Sequence, residues 1–403
     1  MPRPPAPPRT LRREESLPAP DAESAARSEH VRERIRAEAR GAGGMLAFDR
    51  FMELALYSPG LGYYTGGARK FGREGDFVTA PEVSPLFGQC VARQAAQVLD
   101  GLGGGDILEL GAGTGALAAD LLEALETLDR LPGRYRIMEL SAELRERQRA
   151  LLAERVPHHL PRVRWLDRMT GSPVRGLVLA NEVVDAMPVS RFRTRGDGIE
   201  EQFVVDDGRG LALRWGAART PGLARAVEQV RSDVGGLSEG YESEINLRCG
   251  PWVQMLAGHL AAGLILVLDY GYPRREYYHP QRTTGTLTCH YRHRAHFDPL
   301  FAVGLQDITA NVDFTALAEA ARAAGLEVMG FATQGHFLIG TGIGELVGGG
   351  DPGDVDAHMR QAQAVKTLTL PSAMGERFKV LGLGRGVDVP LLGFAVRDLR
   401  DRL

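Results

Sequence analysis

The chain has 403 residues, 44% of them hydrophobic and 25% charged, with a formal net charge of -3 at pH 7. That length can bury a sizeable core in one elaborated domain or two, and the charge balance leaves no basic footprint for a nucleic-acid substrate. Cys90, Cys249 and Cys289 stand far apart with no CxxC pair, so neither a disulfide framework nor a zinc knuckle is indicated, and a reducing, cytoplasmic setting fits.

Residues 1–27 are rich in Pro, Arg, Ala and Glu without a hydrophobic centre, which predicts a disordered tail and not a secretory signal. An organellar transit peptide, and with it a mitochondrial matrix location, is the alternative, although Glu14, Glu15 and Asp21 argue against it. No apolar run approaches the roughly 18 to 20 residues that span a bilayer, so no membrane partner is expected. Helices are predicted over residues 30–40 and 46–56. A loop follows through Tyr63, Asp76, Thr79, Pro81 and Glu82, too apolar for a solvated linker and so expected to fold onto something, as a lid or as a cap on a sheet. Residues 84–99 form the next helix, with Pro85 in its first turn.

The most informative stretch is 106–115. An apolar run containing Glu109 stops at Gly111, Gly113 and Gly115, and an Ala/Leu helical pattern follows over residues 116–128. Strand, tight turn and helix in that order predict a site where a nucleotide-like cofactor approaches the main chain at the helix start. The glycine spacing also satisfies the permissive dinucleotide fingerprint. Glu109 tips the balance, because a carboxylate there would repel a pyrophosphate but suits S-adenosylmethionine (SAM), which carries an ammonium and a sulfonium. A second strand, 135–138, ends at Glu139, where a carboxylate can accept both ribose hydroxyls.

The alternation continues with a helix at 142–154, a strand at 163–166 reaching Asp167, and a strand at 177–180, predicting a doubly wound parallel α/β sheet. Asp167 could accept an adenine amino group or sit in a surface turn. The fourth strand runs into Asn181, Glu182 and Asp185, the two acids sharing one face if the segment makes a helical turn; a helix cap plus a solvated acid is the plainer reading. Residues 190–215 predict a small antiparallel insertion. A fifth strand, 264–268, ends at Asp269-Tyr270-Gly271, before a loop carrying His290, His293 and His296. Arginines separate these histidines, and no acidic or cysteine ligand stands at a familiar spacing, so no metal is expected. A helix over 315–324, strands at 326–331 and 391–396 and a helix over 354–366 complete seven strands.

Taken together, residues 75–82, 109–115, 181–188, 269–271 and 307–309 make the chain resemble the MidA family of class I SAM-dependent methyltransferases, whose mitochondrial members methylate arginine in a subunit of respiratory complex I. The resemblance spans about residues 30 to 397. It implies a Rossmann-like seven-stranded sheet with an N-terminal helical layer, divided as tail 1–27, helical and lid region 28–100, SAM-binding half 101–189, insertion 190–250 and C-terminal half 251–403. It also implies a methyl acceptor, protein or small molecule, as partner, and leaves a homodimer open. Glu182 and Asp185 are the expected catalytic acids, holding a guanidinium whose pKa exceeds 12. Glu109, Gly111, Gly113, Gly115, Glu139, Asp167 and Asn181 are expected at the cofactor. Tyr63, Asp76, Thr79, Pro81, Glu82, Asp269, Tyr270 and His293 are expected at the substrate or lid. A hydroxyl acceptor would instead need a base such as His290 or His293, and a SAM-binding assembly factor would need no turnover. One departure is Asn311, where the family pattern suggests histidine.

Overall fold

The computed structural model describes residues 17–66, 79–169, 172–347 and 355–403. Seven strands, β1 (Asp106–Leu110), β2 (Tyr135–Met138), β3 (Val163–Leu166), β4 (Val174–Asn181), β5 (Leu260–Tyr272), β6 (Glu327–Thr333) and β7 (Phe378–Arg385), lie in the order β3-β2-β1-β4-β5-β7-β6. β1 to β5 pair in parallel, and β7 runs antiparallel to both β5 and β6. A two-residue strand, Val312–Asp313, extends the sheet beside the end of β5. Helices cover both faces, so Leu177–Ala180 and Leu264–Leu268 are buried throughout and read as unbroken apolar runs rather than alternating ones.

Five helices position the site: α1 (Ala22–Gly41), α2 (Phe48–Tyr57), α3 (Pro85–Leu102), α4 (Ala116–Thr127) and α5 (Ala142–Arg155). α1 begins inside the stretch expected to be a disordered tail. Asp21 caps it by accepting the Ser24 N–H at 2.8 Å, and Val31 and Ile35, both fully buried, anchor it. The composition of residues 17–27 is that of a solvent-facing first turn, which resembles a tail until its cap is recognised. α1 and α2 share a core with the antiparallel layer formed by Ser190–Arg195, Gly198–Asp206, Leu211–Ala217 and Glu242–Ile245, and Leu46 pairs directly with Val204.

The closing strand also differs from expectation. It is β7, whereas residues 391–396 are irregular around a single 3-10 turn, Leu392–Phe394. Gly382 and Gly384 look like strand breakers in the sequence, yet both make room: an added Cβ would stand 3.0 Å from the Phe394 ring and 2.6 Å from Met329 Cγ respectively. Among the described residues, no helix is long and apolar enough to cross a membrane.

Candidate active site

The carboxyl ends of β1, β2 and β4 border a cavity of about 520 Å³, the position at which open α/β sheets bind ligands. Its inner edge is the turn after β1. Gly111, Gly113 and Gly115 all have positive φ, 62°, 54° and 89°, a region that side chains rarely tolerate. Gly115 serves as the N-cap of α4, and a Cβ there would come within 3.3 Å of Gln148 Cα, so α5 packs hard against the turn. Glu109 lines the cavity, accepts a hydrogen bond from the Tyr135 hydroxyl at 2.8 Å, and is pushed by burial up to about 7.

Glu139, at the end of β2, accepts the Ser141 N–H at 2.9 Å with one oxygen and the Gln148 side-chain amide at 3.1 Å with the other. That amide also donates to the Gly113 carbonyl at 3.0 Å, while Gln148 Oε1 accepts Trp165 Nε1–H at 2.9 Å. Gln148 therefore ties the glycine turn to Glu139. It shares a helix face with the buried Leu144 and Leu152, and a polar residue in that i, i+4 row was the available signal. Asp167 is exposed and outside the cavity wall, where Met138, Leu140 and Met169 stand instead.

Beyond Asn181, which lines the cavity, the chain makes no helical turn. Glu182 adopts φ 53°, and its N–H donates to the Leu268 carbonyl at 2.9 Å. Glu182 and Asp185 nevertheless both line the cavity, because the fully buried Asp269 folds the segment back by accepting the N–H groups of Val184 at 2.9 Å and Asp185 at 3.2 Å. Asp269 is thus a brace behind the wall. Tyr270 stands outside the cavity wall, edge-on to Phe378 with ring centroids 5.5 Å apart. Glu182 accepts the Asn181 amide at 3.3 Å. Burial, followed by the neighbouring Asp185, pushes Glu182 up to about 8, and burial pushes Asp185 up to about 6. Asp185 Oδ1 is buried with no hydrogen-bond partner among the described residues.

Thr79, Pro81 and Glu82 line the cavity; Asp76 lies outside the described residues. Tyr63 is only 1% exposed and belongs to the core. Its neighbour Tyr64 takes the place expected for it, stacked on Tyr57 with ring centroids 5.4 Å apart. Their hydroxyls donate to Asp307 Oδ1 and to the Ala186 carbonyl, each at 2.9 Å. His293 is exposed at the tip of the hairpin between Thr288–Tyr291 and Arg294–His296, and no histidine lines the cavity among the described residues. Asn311 also stands outside the wall, its N–H donating to Thr286 Oγ1 at 3.0 Å. Sequence reasoning missed Tyr57, Trp252, Met255 and the pair Glu53 and Arg248, joined at 2.8 Å. Glu53, Glu82, Glu109, Glu139, Glu182 and Asp185 all line the cavity with Arg248, so acidic side chains outnumber basic ones in the wall.

A cavity at the strand ends, an open glycine turn after β1, an acid closing β2 and the order β3-β2-β1-β4-β5-β7-β6 together define the class I methyltransferase architecture. The chain belongs to a family of S-adenosyl-L-methionine-dependent methyltransferases, whose model matches residues 90–332, in agreement with the MidA-type resemblance of its motifs. It is 30% identical, over 84% of its length and 83% of the relative, to "Protein arginine methyltransferase NDUFAF7, mitochondrial" of Danio rerio. The Homo sapiens protein of that name is 28% identical, over 84% and 80% of the two chains. A Burkholderia thailandensis protein solved with S-adenosyl-homocysteine bound superposes with a TM-score of 0.92 at 43% identity, covering 96% of this chain and all of that one. The enzyme is a SAM-dependent methyltransferase. The animal relatives are labelled mitochondrial, which matches the alternative compartment set out above and gives no support to a cytoplasmic one.

Proposed function

We propose that the enzyme methylates the guanidinium of a protein arginine, with Glu182 and Asp185 as the acids that hold it. The observation that carries this reading is a pair of shielded carboxylates, raised to about 8 and about 6, with one oxygen lacking any hydrogen bond. Such a site is short of a cationic donor, and a guanidinium offers five N–H groups in a planar fork. The relatives' printed activity, protein arginine methylation, supports the same acceptor. The histidines considered as the base for a hydroxyl acceptor stand outside the cavity wall.

The residues around the glycine turn fit SAM: a main chain stripped of side chains for close approach, and acids suited to a cationic, phosphate-free ligand. When bound, SAM supplies a methyl group bonded to a positively charged sulfur. Glu182 and Asp185 would orient the guanidinium, draw its positive charge away from the reacting nitrogen and take up the proton released as the N–CH₃ bond forms. Glu139 and Asn181 would hold the cofactor, with Gln148 fixing Glu139 in place. Thr79, Pro81, Glu82, Tyr57 and Tyr64 would enclose the acceptor.

The cofactor arm is tested by calorimetry. Glu139→Ala is expected to weaken SAM binding by about 1.5 to 3 kcal/mol, through loss of charged hydrogen bonds. Gln148→Leu should weaken it less while leaving the fold intact; unchanged affinity in both variants would remove this assignment. The acceptor arm is tested by incubating enzyme and labelled SAM with host-cell lysate, then hydrolysing the labelled protein. Label in methylarginines is expected, and label confined to small molecules would overturn the reading.

A further inference from the structure

At the end of α4 opposite the glycine turn, its last turn meets the 3-10 turn Pro157–Arg162 that follows α5. There Glu126 Oε2 lies 3.1 Å from His158 Nε2 and 3.3 Å from His159 Nε2, and all three ligand-type atoms fall within 4.8 Å of one another. We propose that Glu126, His158 and His159 bind a zinc-type divalent cation that clasps the end of α4 to the turn after α5.

Three observations carry the inference. Ligands about 2.1 Å from a tetrahedral ion stand about 3.4 Å apart, close to the two separations seen. His159 has only 3% of its side chain exposed, yet its Nε2 makes no hydrogen bond among the described residues. An aromatic nitrogen buried without a bond is costly unless something else fills its lone pair. Two imidazoles and a carboxylate suit zinc and exclude magnesium, which demands oxygen. Glu126 and His158 are 49% and 56% exposed, which leaves the fourth position open to water. Against the cation stand Arg134, Arg162 and Arg164, which line the adjacent hollow with His158. The single anionic ligand has to offset them, so binding should be weaker than at a closed four-ligand site.

No motif spacing announces this group in the sequence, since Glu126 is 32 residues from His158, and it departs from the expectation of no metal. The test uses untagged full-length protein stripped with EDTA and titrated with zinc chloride in a calorimeter. One ion per chain is expected, with affinity falling at least tenfold in Glu126→Gln and in His158→Ala, both surface changes that leave the core intact. His358→Ala, an exposed histidine on Val355–Thr369, should leave zinc affinity unchanged. Unchanged SAM binding in each variant verifies the fold. Absence of saturable zinc binding, equal affinity in Glu126→Gln and His158→Ala, or magnesium binding as tightly as zinc would overturn the proposal.

Discussion

Glu182→Gln is expected to lose methyl transfer by about 100-fold or more while retaining the fold and SAM affinity, because shape is kept and a charge that orients the nucleophile is removed. Asp185→Asn should behave similarly. The double variant should be little worse than either single one, as holds for groups acting on one bound cation. The pH profile adds an independent readout. Glu182 and Asp185 are raised to about 8 and about 6, so both carry protons at low pH, and a guanidinium must displace those protons to bind. kcat/KM for the acceptor should therefore climb with pH, about tenfold per unit below the controlling pKa, and level off above about 8. In Glu182→Gln the upper limb should vanish, leaving a plateau that starts nearer 6. Initial rates from pH 5.5 to 9 and melting temperatures of the four proteins separate this from a merely structural pair. Such a pair would lose about 1 kcal/mol of stability and keep its rate. A fully active Glu182→Gln ends the arginine reading as drawn.

Gly263→Ala is expected to destabilise the protein by about 4 kcal/mol or more, a class of effect tied to strain and overpacking in the core. Gly263 and Gly176 face one another on β5 and β4 at the end of the sheet opposite the cofactor. A Cβ at Gly263 would stand 1.8 Å from the Gly176 carbonyl oxygen, and one at Gly176 would stand 2.0 Å from the Asp106 oxygen on β1. Main chain cannot give way as a side-chain tip can. Their φ angles, 138° and 141°, are also closed to ordinary residues. The comparison is Gly208→Ala, at φ 85° with nothing within 4 Å of the new Cβ, which should cost only about 1 to 2 kcal/mol. Melting temperatures should fall by on the order of 10 °C for Gly263→Ala and by much less for Gly208→Ala. Equal losses would mean that the sheet opens at this rim to accept the methyl group.

What could be seen in the sequence follows from how local each feature is. The glycine turn was legible because its requirement, positive φ beside a helix start, is met by residues adjacent in the chain. The parallel strands were legible because burial on both faces removes polar residues from them. The path of Glu182 and Asp185 was not, since no helical turn forms there and the bend is imposed by Asp269, 84 residues beyond Asp185. Long-range packing likewise brings Tyr57, Arg248 and Trp252 to the wall, and no nearby residue announces it. Tyr63 and Tyr64 cannot be told apart in the sequence, because an aromatic pair says that one ring is useful without saying which one faces inward. β7 was hidden because its glycines serve Phe394 and Met329, partners that only the folded sheet supplies.

The backbone at Glu182 has a consequence for how this enzyme can change over generations. Its φ of 53° belongs to a region where a long side chain costs about 1 to 3 kcal/mol and glycine or asparagine costs far less. Replacement by glycine should therefore leave the melting temperature at or above that of the native protein while abolishing transfer. A lineage selected only to stay folded would drift toward that replacement, so retention of the acid marks a lineage still selected for turnover.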